Sequence, residues 1–533
     1  MKNGISEIDD KHFFLSPKGK TNAKAELNAT LYALLHETKL DDNATACKFP
    51  ARKAWLVDKL QIGNLPLIEC KAYQKVITKL NPTSATIVFP SAHINSPASM
   101  FGHTFLRLDD AQGLALTSRA VNYAAKSREK NGLLFAYKGL FGGYQGRYSL
   151  LPYYQKIKEY NNLEGRDIWE YTLNLKPKEI GRLLTHLYAL RDVWSDYYFM
   201  RENCSYNLLW LLEVARKDVH LVNQFSIKAI PLDTIRAMKV SGMIERVHFR
   251  PSKRKELLVL AKALKGADGE VKEAYRAALD VGLLQLKRAT SKIDKKAYVK
   301  ELMLHLKKRS RLPTFKKLEV VRPQNPLKGH KSTRVMFGVD DDGSLLFGAK
   351  LAYHDIYDVT EGFVDGAYLD FLHLELEKKH DESVHLKTFD FVNIKSYAPI
   401  NNIVNALSWE MSLGVDAIDA GYRLRMRGAL GYSVSLGEGV FGFLMLQPSV
   451  YYHDSVLVSL SPKLGMIANF EKLSVGVLAE KGFFSDGTRD VHGEFFVTKK
   501  VGKDWALNLK INEDKISHQK SRLGFRASCF YYF

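Results

Sequence analysis

From about residue 332 to Phe533, polar and apolar residues alternate with a period of two. They do so in strand-like segments of roughly 9–15 residues, about twelve in all, separated by polar or Gly-containing turns. In YRLRMRGALGYSVSL, Tyr422, Leu424, Met426, Leu430, Tyr432, Val434 and Leu436 share one face. Arg423, Arg425, Arg427, Ser433 and Ser435 share the other. In the last segment Leu523, Phe525, Ala527, Cys529, Tyr531 and Phe533 form an apolar face opposite Arg522, Arg526 and Ser528. A strand of this kind lies between two unlike environments. A soluble sandwich would turn the apolar faces inward; a transmembrane barrel would turn them toward lipid and line its lumen with the arginines. The segments are long enough to cross a bilayer at a tilt. Aromatic residues gather near their ends, in YYHD, FFSDG and FYYF. An even number of strands also closes without exposed edges. The pattern predicts an all-β transmembrane barrel of about twelve strands over residues 331–533, with the sandwich as the alternative. Cys529 then faces lipid as a small apolar residue.

The first half has another texture. Residues 1–85 read as a helical and irregular segment, with one clear helix in AKAELNATLYALLHET. TIVFP, MFGHTFLRLDD, LALTSRAVNYAA and DIWEYTLNL read as strands. KEIGRLLTHLYALRDVW has helical spacing, and YYFMRENCSYNLLWLLEVARK begins extended and turns helical. These elements predict an α+β domain over residues 86–240. Residues 241–330 read as a basic helical linker region, with KRKELLVLAKALK and KKAYVKELMLHLKKR amphipathic. That region is either a solvated linker bundle or a collar on acidic lipid head groups. A chain of 533 residues exceeds what one hydrophobic core serves, so several domains are expected.

Composition narrows the function classes. Hydrophobic residues make up 46% of the chain, which excludes a disordered protein. The formal net charge of +20 favours anionic partners, either nucleic acid or acidic lipid. The Lys and Arg residues are spread out and no nucleic-acid motif is present, so nucleic acid is not expected as a partner. No run of ~20 apolar residues exists to make a membrane-spanning helix. The N-terminus MKNGISEIDDKHFF lacks the apolar core of a signal peptide, although the rest of the chain points outside the cytosol. The expectation is an upstream start or a signal already removed.

Four cysteines are present. Cys47 and Cys70 flank a short segment, and a bridge between them would contribute about 3 kcal/mol in an oxidising compartment. Two unpaired buried thiols remain the alternative. Cys204 stands apart. Asn203 is a favoured helix N-cap and Leu208, Leu211 and Leu212 have helical spacing, which puts Cys204 in the first turn of a helix. The positive end of a helix favours a thiolate, the nucleophilic form. A thiolate needs a base beside it. His103, after a Gly at the start of a strand, is the best placed; His12, His36, His93 and His186 are less so. Asn122, in AVNYAA, has the side-chain oxygen to orient the imidazole. A lone Cys beside leucines, or a lone His beside Phe, is more often simple packing, and a bare His…Cys pair is a weak signal. The His and Cys spacings match no zinc site, so neither a metal nor another cofactor is expected.

The order strand His, strand polar residue, helix Cys resembles the circularly permuted papain-like enzymes, lecithin:retinol acyltransferase among them. VFPSAHINSPASMFGHTFLRLD, AVNYAA, GLFGGYQGRYSLLPYYQKIKEYNNLEGRDIWEYTLNL and YYFMRENCSYNLL are more closely similar to the Lnb-type lipoprotein N-acyltransferases of Gram-negative bacteria. CKFPARKAWL upstream, and IPLDTIR, RPSK and KGHKSTRVMFGV downstream, extend the resemblance over most of the chain. The terminal Phe533 resembles the ending of bacterial outer-membrane barrels. The resemblance implies a permuted papain-like domain in the periplasm, fused to an outer-membrane barrel. It implies Cys204 as nucleophile, His103 as base and Asn122 as orienting residue. It further implies a phospholipid acyl donor and a lipoprotein acceptor whose α-amino group receives the acyl chain. The same Cys–His pair would serve a hydrolase of cell-wall peptides or lipid esters, and a barrel with a non-enzymatic binding domain is the third possibility.

Overall fold

The computed structural model describes residues 4–533 apart from 64, 93–100, 113, 117, 126–128, 130, 291–293, 381, 402, 404, 419–420 and 518–519. The chain divides into two units. One comprises the chain up to Ser91 together with Gly102–Ser252, and the other contains Lys253–Phe533.

The first unit is built on a seven-stranded sheet. Its strands are β1 (Ser84–Pro90), β2 (Phe105–Asp109), β3 (Arg119–Ala125), β4 (Tyr144–Pro152), β5 (Ile168–Leu173), β6 (Trp194–Tyr197) and β7 (Ile244–Arg250). Their order is β6-β4-β3-β2-β1-β5-β7, and every neighbouring pair is antiparallel. β1, largely apolar, and β2 are buried along nearly their whole length, as central strands covered on both faces should be. The Cys204–Ala215 helix packs on β2 and β3 and buries Leu208, Leu209, Leu211 and Leu212. A helix apolar nearly all round belongs inside a domain. Between the strands lies a buried ion network: Arg107 reaches Asp109 at 2.7 Å and Glu170 at 2.8 Å, and the Tyr153 hydroxyl donates to Glu170. Ahead of the sheet, helices Ala23–Leu35, Thr45–Lys48, Pro50–Leu60 and Lys71–Leu80 are tied by a Cys47–Cys70 disulfide, so these two cysteines are paired rather than free.

The second unit begins with helices Lys253–Lys265, Gly269–Thr290 and Lys295–Ser310. Strands follow: β8 (Arg334–Asp340), β9 (Leu345–His354), β10 (Ala367–Lys378), β11 (His385–Ser396), the two-residue β12 (Pro399–Ile400), β13 (Ser408–Ile418) and β14 (Gly421–Gly437). Then come β15 (Val440–Tyr452), β16 (Val456–Asn469), β17 (Leu473–Phe484), β18 (Arg489–Lys500), β19 (Trp505–Ile516) and β20 (Arg522–Tyr532). Apart from β12, which lies parallel on β14, the strands are antiparallel to their neighbours. β20 pairs with β8 and β14 with β15, so twelve strands close into a barrel.

The face assignment decides between barrel and sandwich. Tyr422, Leu424, Met426, Leu430, Tyr432, Val434 and Leu436, the apolar face of β14, are all exposed, while Arg425 and Ser433 opposite are buried. Leu523 and Phe525 on the last strand and Phe533 just after it are likewise exposed, and Ser528 is buried. An apolar outside on a closed barrel is the arrangement that a bilayer stabilises. The inside is filled. Asp355, Ile356, Asp358 and Val359, between β9 and β10, are buried there. Ion pairs such as Arg334–Asp358 at 2.6 Å and Lys463–Glu410 at 2.7 Å share the interior with an apolar cluster that includes Tyr397, Phe441 and Phe496.

Candidate active site

Cys204 is the first residue of its helix. Asn203 caps that helix: its Oδ1 accepts from the backbone N–H of Ser205 at 3.1 Å and of Tyr206 at 3.3 Å. Its amide donates to the carbonyls of Phe199 at 3.0 Å and Ala229 at 2.7 Å. Both polar side-chain atoms of Asn203 are thus engaged in fixing where the helix begins, and Cys204 inherits that position. The Cys204 thiol is buried and unpaired, at the positive end of the helix macrodipole.

His103 precedes β2 by two residues rather than starting the strand as the sequence suggests. The chain turns into the strand through Gly102, whose φ is +82°. A Cβ there would come within 2.4 Å of the Phe89 ring, so only glycine serves both the backbone angle and the space. The imidazole lies near enough to the Cys204 sulfur for each group to shift the other's titration. Its Nε2 lies 2.8 Å from Asn122 Oδ1, on β3, which leaves Nδ1 for the thiol. The structure therefore brings Cys204, His103 and Asn122 together from a helix, a loop and a strand.

The electrostatics follow from burial and pairing. Burial pushes the Cys204 thiol up, but the charge and hydrogen bond of His103, with the backbone and side chain of Thr104, outweigh it and bring the thiol down to about 7. For His103, burial pushes the imidazole down, whereas Cys204 and Asn122 push it up, and the net direction is up. The two shifts together favour a thiolate–imidazolium pair.

Three further groups complete the surroundings and were not singled out in the sequence. The Tyr197 hydroxyl, at the end of β6, accepts from the Cys204 backbone N–H at 3.4 Å. Burial and the neighbouring Cys204 hold this phenol well above its ordinary range, so it stays a neutral O–H. Thr104 Oγ1 points at the sulfur from 4.0 Å. Tyr160 packs beside His103 with ring centroids 5.7 Å apart and is itself covered by the Arg166 guanidinium at 4.9 Å. A tyrosine in a Tyr-rich chain carries no sequence signal for such a role; only the sheet order brings β6 beside the helix end.

Three other histidines of this half lie away from Cys204. His186 is half-buried in the Pro177–Ala189 helix, and desolvation of its ring lowers the imidazole to about 4. His12 pairs with Asp10 at 2.9 Å, and His36 stacks on Tyr32. His93 lies outside the described residues.

Residues 72–241 match the family model described as the Lnb N-terminal periplasmic domain. The match spans the strands, the loop and the helix that carry the triad. This region is an Lnb periplasmic domain. Two further models, each described as a domain of unknown function, match residues 1–59 and 323–532, so the barrel falls within the latter. No curated protein matches the chain. Among solved structures, the KdgM porin in complex with disordered oligogalacturonate is 13% identical, with a TM-score of 0.26, over 38% of this chain and 99% of the porin. The NanC porin is 7% identical, with a TM-score of 0.27, over 38% of this chain and 100% of that one. LpxR from Salmonella typhimurium is 12% identical, with a TM-score of 0.26, over 38% and 100%. The closed barrel with its lipid-facing exterior places the chain in the outer membrane, and the region matching the Lnb N-terminal periplasmic domain is periplasmic.

Proposed function

We propose that the chain is a lipoprotein N-acyltransferase in which Cys204 carries the acyl chain as a thioester. The observation that carries this reading is the buried Cys204–His103–Asn122 constellation at a helix N-terminus, on a chain that is itself anchored in a lipid bilayer. The order of His103, Asn122 and Cys204 along the chain fits a permuted papain-like arrangement.

In the first half-reaction the Cys204 thiolate attacks the acyl ester carbonyl of a phospholipid. The ester C–O bond breaks, His103 gives its proton to the departing alcohol, and a lysophospholipid leaves. In the second, the α-amino group of a diacylglyceryl-cysteine attacks the thioester. His103 takes a proton from the amine, the C–S bond breaks and the thiol is restored. Both steps pass through an oxyanion, for which the Cys204 backbone N–H and the Tyr197 O–H are the adjacent donors. Burial of the thiol, which is only 3% exposed as a residue, keeps water from the thioester and supports transfer over hydrolysis. The net charge of +20 supports an anionic lipid surface as the donor's setting.

The test is mass spectrometry of lipoprotein N-terminal peptides from cells deprived of every other N-acylating activity. Expression of this chain should restore the N-acyl group and Cys204→Ser should not. Lipoproteins still lacking the N-acyl group, or full activity in Cys204→Ser, would overturn the reading. Release of free fatty acid without N-acylation would make the enzyme a hydrolase instead.

A further inference from the structure

Inside the barrel Asp370, His373 and Asp390 offer ligand atoms that all lie within 4.8 Å of one another. We propose that these three side chains bind one divalent transition-metal cation of the Zn2+ or Mn2+ kind.

Several features of the fold assemble the cluster. Asp370 and His373 are three residues apart on β10, a spacing that in a regular strand sends side chains to opposite faces. Leu372 between them has φ +51°, and around it the inward positions change from Tyr368 and Asp370 to His373, Glu375 and Glu377. His373 then stands directly opposite Asp390 of β11 in the strand register. Gly414 of β13 is paired with Asp390 on its other side. A Cβ at Gly414 would come within 2.6 Å of Asp390 Oδ1, so the absence of a side chain there leaves the room the carboxylate occupies.

Two observations point to a cation as the ligand. The first is an orphaned atom. Asp370 is 4% exposed, and its Oδ2 is 2.9 Å from His373 Nδ1, yet its Oδ1 has no hydrogen-bond partner among the described residues. A buried carboxylate oxygen without a partner is costly, and a metal ion is one of the few groups that relieves it. The second is charge. Asp390 and Asp416 share the Arg425 guanidinium, at 2.7 Å and 2.9 Å, and Asp370 has no Lys or Arg in salt-bridge contact among the described residues. Three carboxylates thus share one guanidinium, an excess of negative charge that a bound cation offsets.

A second cluster, His330, His354 and Asp358, has the same ligand types and an unpartnered atom of its own, His354 Nε2, but not the same charge deficit. Arg334 and Lys350 both bond Asp358 and Asp355, so that cluster is already neutral. An imidazole with two carboxylates suits Zn2+ or Mn2+ better than Ca2+ or Mg2+, which prefer oxygen alone.

The experiment uses the full chain in detergent micelles, with Cys204→Ser as background so that the thiol takes no metal. Zn2+ and Mn2+ binding is measured by titration calorimetry, and retained metal by elemental analysis after dialysis. The expected result is about one ion per chain, weakened at least tenfold in Asp370→Asn and in His373→Gln and unchanged in His354→Gln. Heat-modifiable gel migration reports whether each variant barrel is folded. Absence of stoichiometric binding of either ion to the background protein overturns the proposal whatever the variants do. Binding retained in folded Asp370→Asn, or lost only in His354→Gln, also overturns it.

Discussion

Asn122 Oδ1 lies 2.8 Å from His103 Nε2. Asn122 comes from β3, and His103 from the loop before the neighbouring β2. The amide oxygen can only accept, so Nε2 carries the proton and Nδ1 is presented to Cys204. Asn122→Ala would leave the ring free to rotate and to change tautomer. We expect a fall in kcat of about 100-fold with little change in KM, because misplacing a catalytic group costs that order. Asn122→Gln with wild-type kcat would show that the orientation is set elsewhere.

The thiol's titration gives a second prediction. With Cys204 brought down to about 7, thiolate forms as pH rises through neutrality. The rate of alkylation by iodoacetamide should therefore climb with a midpoint near 7. In His103→Ala the lowering charge and hydrogen bond are gone while the burial that raises the thiol stays. The midpoint should then move above the ordinary thiol value of about 8.5. An unchanged midpoint in His103→Ala would separate the imidazole from the thiol.

Tyr197 offers a third. Its hydroxyl sits against the Cys204 N–H, where an acyl oxyanion would form. Tyr197→Phe removes the donor and keeps the ring that stacks on Tyr123. Loss of one oxyanion donor lowers kcat by roughly 10²-fold. Single-turnover acylation of Cys204, followed by intact-protein mass, should show the loss, whereas wild-type acylation rates would assign Tyr197 to packing.

The barrel's orientation can be tested on β15. Leu444 is 62% exposed on the outer face, and its neighbour Met445 is buried inside. Leu444→Arg puts a charge into hydrocarbon and should destabilise the folded barrel by about 2–4 kcal/mol if the site lies near the bilayer midplane. Urea unfolding in liposomes measures this. In a soluble sandwich the same outward arginine would be almost neutral.

The prediction from alternation alone was good for the barrel because a bilayer imposes one rule on every residue of every strand. Tyr422 to Leu436 could be assigned to a face without knowing their neighbours. The helix start was equally local: Asn203 caps its own helix, so the place of Cys204 within it follows from a few adjacent residues. The cysteine pairing was legible only as a choice, and the fold brought the Cα atoms of Cys47 and Cys70 to 5.2 Å.

What the linear chain determined by itself is therefore what depends on near neighbours: strand faces, the helix N-terminus, the types of residue able to do thiol chemistry. Tertiary structure decided which of these meet. His103 reaches Cys204 across about a hundred residues, and Tyr197 arrives through β6 at the far edge of the sheet. Asp370, His373 and Asp390 converge only because Leu372 breaks the strand's period. Proximity between distant segments depends on sheet order and register, which are set by the packing of the whole domain, and no window of sequence contains that information.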